Sequence, residues 1–455
     1  MASLLIYLLP TPQGLSLQAW QLFAIFIGTI FLVMSAVFPM AAASLMGLTA
    51  AISTKSLSFN QAFIGFVSPI TWLILISFFI SFGLVQTGLG RRLALLFIGL
   101  FGKNSIGLAY GISITDLILA PGTPSSTART GGIIFPIVDS ISRSFDSLPN
   151  EESRKKIGSY LTACLFNASV VTSAMFMTAM AANPFAVNLA KDVGVEISWS
   201  SWALYALVPG LASLVLLPLF IAKIYPPKIK DTKHAAQNAK NELKNLGPMK
   251  KNEKLMAVGF ILIMSLWILG PLIGVSAELA ALIGLCFLLL SNVFSWGELL
   301  KLQNAFETFI WFGALIALAQ GLSSSGFASW FGQKVADNMS LMPAVIGIVL
   351  LFLIYFYSHY VFASCTAHVG ALFVPFLSGA IALGADAKVI TLIFCFASSL
   401  FGSLTHYGIG PAPILFGSGY MTIKEWWSLG FIISVFNIVV WGSSGFIWWK
   451  ILGLI

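Results

Sequence analysis

Ser125-Ser126-Thr127-Ala128-Arg129-Thr130-Gly131, closed by Pro136, recurs 239 residues later as Ser364-Cys365-Thr366-Ala367-His368-Val369-Gly370, closed by Pro375. Both stretches read S-x-T-A-[R/H]-x-G-x4-P, and each interrupts a long apolar run, at about 104–140 and about 342–384. Non-helical backbone at membrane depth survives only where it is buried in protein or lines a wet cavity. Each stretch therefore predicts a re-entrant hairpin, two half-helices meeting at a polar tip. The same offset places Phe306–Leu318 on Val67–Phe79 and Trp311 on Trp72. A span broken in mid-course follows each hairpin, at Ala182-Asn183-Pro184 in the first case and over Thr405–Pro411 in the second. The predicted organisation is a first repeat with N-terminal spans (1–222), a basic loop (223–254) and a second repeat (255–455). An odd number of crossings per half inverts one repeat against the other, an arrangement found in secondary transporters.

Composition excludes the main alternatives. Of 455 residues, 58% are hydrophobic and 9% charged, with a mean hydropathy of +0.93; a soluble domain carries about 25% charged residues. At about 20 apolar residues per span, the chain has room for roughly ten to twelve membrane helices. The fold class expected is an all-α polytopic membrane protein. Plain spans are predicted at Trp20–Phe38, Met40–Ile52, Thr71–Val85, Leu161–Ala182, Trp202–Ile224, Leu255–Ile273, Leu279–Leu290, Phe306–Leu318 and Leu429–Ile451. Leu93–Phe101, opened by Arg91 and Arg92, reads as amphipathic and interfacial. The formal charge of +8 is concentrated in Lys223–Lys254, which holds nine lysines and three acids and leaves +2 for the rest. A basic loop between apolar spans fits a cytoplasmic anchor and needs no nucleic acid. Asp139–Ile157, two spans away, is expected on the same side. The four cysteines show no metal or haem spacing, so no cofactor and no metal are expected. No charged n-region precedes the first long span, and no cleaved signal is expected.

Ser or Thr ahead of a helix is first of all an N-cap, and that reading alone accounts for Ser125 and Ser364. The pairing adds a second reading. Two half-helix N-termini present N–H groups, hydroxyls and positive dipole ends to a shared cavity, which suits an anion with two separated carboxylates. The tips Ser125, Ser126, Thr127 and Ser364, Cys365, Thr366 are the candidate substrate ligands, with Asn183, Pro184, Gly408 and Pro411 of the broken spans beside them. Arg129 and His368 are anomalous, because a cation in the first turn of a helix sits at the unfavourable dipole end and is expensive in a membrane. Asp116, carbonyls of a broken helix or the bound anion could offset it. His359, His368 and His406 lie on separate polar breaks without a metalloenzyme motif, so an enzyme is not expected.

At Pro124–Pro136 (PSSTARTGGIIFP), Ser173–Asn183 (SAMFMTAMAAN), Phe362–Leu372 (FASCTAHVGAL), Gly402–Gly410 (GSLTHYGIG) and Phe416–Tyr420 (FGSGY) the sequence resembles the divalent anion:sodium symporter family. The likeness is to its exchanger branch of plastid 2-oxoglutarate/malate translocators and bacterial citrate/succinate antiporters, and with the order of spans it covers nearly the whole chain. It implies a homodimer in the inner cell membrane, a scaffold with an elevator-type transport domain, and di- or tricarboxylate substrates. Sodium-coupled members carry Ser-Asn-Thr at the tips. Here Ser126 and Cys365 replace both amides, removing oxygens that could ligate a hard cation, and Arg129 and His368 stand as charge replacing sodium. Exchange is therefore expected, with sodium symport as the alternative. The family also implies a helix ahead of Trp20, of which only the last turns are expected here.

Overall fold

In lipid, a segment must satisfy its backbone groups internally, so long apolar runs become helices. The computed structural model describes residues 2–35, 37–339 and 342–455. Ala36, within the predicted span Trp20–Phe38, lies outside the described residues. After α1 (Ala2–Leu8) come α2 (Leu17–Ser35), α3 (Met40–Ser53), α4 (Phe59–Phe63), α5 (Pro69–Gln86) and α6 (Leu89–Phe101). The first hairpin follows as α7 (Ser105–Leu119) and α8 (Phe135–Ser144), then α9 (Gly158–Met175), α10 (Ala182–Ala190) and α11 (Trp199–Ile224). Next are α12 (Lys233–Asn245), α13 (Lys251–Leu269), α14 (Ala277–Leu290), α15 (Trp296–Leu299), α16 (Gln303–Ser324) and α17 (Phe327–Met339). The second hairpin is α18 (Ala344–Tyr357) and α19 (Cys365–Ala382), followed by α20 (Ala387–Leu400), α21 (Pro411–Gly417) and α22 (Ile423–Ile451). Among the described residues, nine helices are long and apolar enough to cross a membrane.

The repeat runs further than its motif. Elements α2–α11 recur in the same order as α13–α22, with α12 between them. Local devices recur too. Ser58 with Gln61 forms a capping box on α4, and Ser295 with Glu298 does so on α15. Ser198 with Ser201 caps α11, and Thr422 with Glu425 caps α22. Such boxes satisfy two orphan donors at a helix start.

Two compact units mix these repeats. The first comprises residues 1–75, 181–197 and 301–398; the second comprises 76–180, 198–300 and 399–455. The first unit thus holds the second hairpin with α10, and the second unit holds the first hairpin with α9 and α21. In the first unit Phe185 of α10 meets Phe312 of α16, ring centroids 5.5 Å apart. Backbones also close tightly there: a Cβ on Gly65 would lie 2.0 Å from the Gly313 carbonyl oxygen. Backbone cannot rotate aside as a side chain can, so Gly65→Ala is expected to destabilise by about 1–3 kcal/mol, read as a lower apparent Tm in detergent. In the second unit, Ile229 N–H donates to the Lys156 carbonyl (3.0 Å), so the basic segment and the end of Asp139–Ile157 are in contact.

Three boundaries differ from expectation. The first broken span opens earlier than Asn183-Pro184: α9 ends at Met175, and Pro184 lies in the first turn of α10, where a missing N–H costs little. The basic segment is not all loop. Its helix α12 buries Ala235, Ala236 and Ala239 and packs on α6, with Arg91–Glu242 at 3.1 Å. Finally α17, the counterpart of α6, was not anticipated, because Lys334, Asp337 and Asn338 dilute its apolar face.

Candidate functional site

In the second unit the first tip begins where α7 tightens into a 3-10 turn at Ala120–Gly122. Pro121 and Pro124 stop the helix, and Ser125 Oγ accepts from the Ala128 N–H (3.2 Å). The chain resumes as a π-helical stretch, Thr127–Ile134, running into α8 and Pro136. Proline removes one ladder bond, and π-turns gather at functional sites. Ser126 is buried, and Ser125 and Thr127 are half-buried. The structure brings Thr127 against the second broken span: a Cβ on Gly410 would sit 2.1 Å from Thr127 Oγ1. Gly408 and Pro411 are buried on that same break.

Arg129 is fully buried, as is Asp116. Its Nε donates to Asp116 Oδ1 (3.0 Å), its Nη1 to the carbonyls of Thr123 (2.9 Å) and Ala179 (3.1 Å), and its Nη2 to Thr172 Oγ1 (3.4 Å) and Ser173 Oγ (3.1 Å). Thr172 Oγ1 in turn donates to Asp116 Oδ2. All five guanidinium N–H groups are thus engaged within the protein. Of the offsets expected for Arg129, the Asp116 carboxylate and carbonyls beside the first broken span are the ones present. The Arg129–Asp116 pair has no net charge, and its geometry ties the hairpin to the end of α9.

In the first unit the second tip follows α18 through a 3-10 turn, Ser358–Val361. Ser364 is the N-cap of α19, its Oγ accepting from the Ala367 N–H (3.4 Å). Cys365 and Thr366 are buried in the first turn. Asn183 and Pro184 are buried in α10 of the same unit; α10 packs on α19, where a Cβ on Gly370 would lie 3.2 Å from the Phe185 ring. His368 is buried between the Phe362 ring (4.6 Å) and the Tyr355 ring (4.7 Å). Its Nε2 meets Ser358 Oγ (3.1 Å) and its Nδ1 meets His359 Nδ1 (3.1 Å).

The two buried networks are counterparts. Asp116 and Arg129 are 13 residues apart, as are Tyr355 and His368 at the same 239-residue offset. Thr172 on α9 binds Asp116; Ser398 on α20 meets the Tyr355 hydroxyl at 2.7 Å. One hairpin is latched by an ion pair, the other by an aromatic pair.

The whole chain, residues 1–455, matches the family model described as the sodium:sulfate symporter transmembrane region. The chain belongs to this family. It is the divalent anion:sodium symporter family anticipated from the tips, a family of membrane transporters, and this member is a multi-pass membrane protein. It is 46% identical over 452 residues to the "putative malate transporter YflS" of Bacillus subtilis, covering 99% of this chain and 95% of that one. It is 43% identical over 458 residues to "dicarboxylate transporter 1, chloroplastic" of Spinacia oleracea, covering 100% and 80%. Its fold is similar to the YdaH transporter of Alcanivorax borkumensis, with a TM-score of 0.58 at 13% identity, covering 94% of this chain and 98% of that one.

For this family member, sequence reasoning found both tips and the Asp116 partner of Arg129. It missed His359, Tyr355, Thr172 and Ser398 as partners of the odd residues. The 13-residue spacing repeated at 239 residues was the available signal for Tyr355.

Proposed function

We propose that the protein is a secondary transporter exchanging di- or tricarboxylates of the succinate, malate, 2-oxoglutarate or citrate class across the inner cell membrane, as a homodimer. Transport is of the elevator type, with residues 1–222 and 255–455 as inverted repeats around the basic segment 223–254. The observation that carries this reading is the paired Ser-x-Thr tip, each capping a half-helix beside a broken span. Positive dipole ends and hydroxyls make each tip a carboxylate-binding element. Ser125, Ser126, Thr127, Gly408 and Pro411 serve one tip; Ser364, Cys365, Thr366, Asn183 and Pro184 serve the other. Relatives at 46% and 43% identity bear malate and dicarboxylate names, which supports the substrate class. The tips lack the amide of the sodium-coupled pattern, which supports exchange.

Counterflow in proteoliposomes tests this. Labelled malate is expected to enter liposomes preloaded with dicarboxylate, with or without sodium, and to enter empty liposomes hardly at all. Strong sodium-driven uptake into empty liposomes would establish the symporter instead. Sidedness has its own check in a background lacking the exposed Cys286. Cysteine at Gln237 should label only from the cytoplasm and cysteine at Asp386 only from outside. Equal labelling of both from outside intact cells contradicts the inverted topology.

A further inference from the structure

We propose that His359 and His368 form a site for one proton, taken up with the transported dianion; this rests on the dicarboxylate reading above. Both side chains are fully buried. Four groups form a chain: Ser358 Oγ to His368 Nε2 (3.1 Å), His368 Nδ1 to His359 Nδ1 (3.1 Å), and His359 Nε2 to Cys365 Sγ (3.9 Å). The last of these atoms belongs to the second tip itself.

The proton count follows from that geometry. Two ring nitrogens facing each other at hydrogen-bond distance need one proton between them. With both rings neutral, two protons occupy four nitrogens, and the chain can point either toward Ser358 or toward Cys365. A third proton, drawn from solvent, is also accommodated. His359 Nε2–H then faces Cys365 Sγ, His359 Nδ1–H donates to His368 Nδ1, and His368 Nε2–H donates to Ser358 Oγ. A fourth would set N–H against N–H and place two imidazolium charges side by side in a buried site. The capacity of the dyad is therefore one excess proton.

The surroundings determine when that proton binds. Among the described residues, the titratable side chains in contact with the dyad include Tyr355 and Cys365, and Cys395 of α20 acts on Tyr355. The carboxylate that neutralises Arg129 has Tyr355 as its counterpart. Of the elements packed on α19, helices α2, α10 and α18 contain no Asp, Glu, Lys or Arg, and α16 contains Glu307. Lys334 and Asp337 of α17, and Lys388 of α20, are exposed. A cation at the N-terminus of α19 is opposed by the helix dipole and by burial until an anion docks at Ser364–Thr366. Proton and dianion thus raise each other's affinity by the same factor. This provides the loading-dependent charge that the neutralised Arg129 cannot.

Calorimetry of L-malate binding to the purified full-length protein, in buffers of differing ionisation enthalpy between about pH 7 and 9, counts the protons. About one proton per malate is expected, with affinity falling about tenfold per pH unit above the pKa of the empty dyad. His359→Gln and His368→Gln should bind malate more weakly and take up no proton, whereas exposed His234→Gln should match wild type. Ser358→Ala, which removes the partner at one end of the chain, should shift the pH at which uptake occurs. Zero uptake by wild type, or uptake unchanged in folded His359→Gln or His368→Gln, overturns the proposal; if both glutamine variants fail to fold, an unshifted pH dependence in Ser358→Ala does so. Absence of malate binding by wild type overturns the functional reading itself, and is distinguished by the missing heat.

Discussion

Asp116→Ala is expected to lower stability by about 3–5 kcal/mol, because it strands a buried guanidinium without its carboxylate. Arg129 cannot reach water, and its other four N–H groups are already committed to Thr123, Ala179, Thr172 and Ser173. Thr172 loses its carboxylate acceptor in the same substitution and keeps only the Ser169 carbonyl (3.1 Å). The damage should therefore spread from α7 to α9 and loosen the first tip. Apparent Tm in detergent, with the monodisperse fraction recovered, reads the effect. Replacing both partners by apolar residues, Asp116→Leu with Arg129→Met, should recover much of the loss, since a removed pair costs less than a broken one. A single variant that melts with wild type would show that the pair holds nothing in place.

How much of this was legible in the sequence depended on whether a residue's partner was fixed by spacing. The tips were readable because Ser-x-Thr ahead of a half-helix has one cheap outcome, an N-cap, and both caps form. Arg129 and Asp116 were readable as a pair because a buried cation demands an acid, and Asp116 lies on the facing arm of the same hairpin. The fate of the charge was not readable. Saturation of the guanidinium depends on Thr172 and Ser173 of α9 and on Ala179 in the turn that follows it, and no local pattern encodes that contact. His359 escaped for a related reason: His359 and His368 fall on two sides of a tip whose turn geometry decides whether they meet. Helix α12 was hidden because its buried face is three alanines, too small to mark a periodic apolar stripe among lysines.

Thr127→Ala and Thr366→Ala should each weaken dicarboxylate binding by about 1.5–3 kcal/mol, the worth of a hydrogen bond to a charged group in a desolvated site. That is about a tenfold to 150-fold rise in Kd. Either hydroxyl could instead be a helix-end ornament, and Gly410 offers a way to decide for Thr127. Its added Cβ would fall 2.1 Å from Thr127 Oγ1, a contact that only displacement of the hydroxyl relieves. Gly410→Ala therefore moves the hydroxyl while leaving the tip's composition intact. If that hydroxyl binds carboxylate, Gly410→Ala should reproduce the affinity loss of Thr127→Ala, and the double variant should be little worse than either single, because both remove the same interaction. Thr366→Ala combined with Gly410→Ala should instead be close to additive, since the two act on different tips. The readout is malate Kd at fixed pH, with apparent Tm held as the folding control. Wild-type affinity in Thr127→Ala would reduce the residue to a structural part of the turn; full additivity of Thr127→Ala with Gly410→Ala would mean that the glycine acts on the site by some other route.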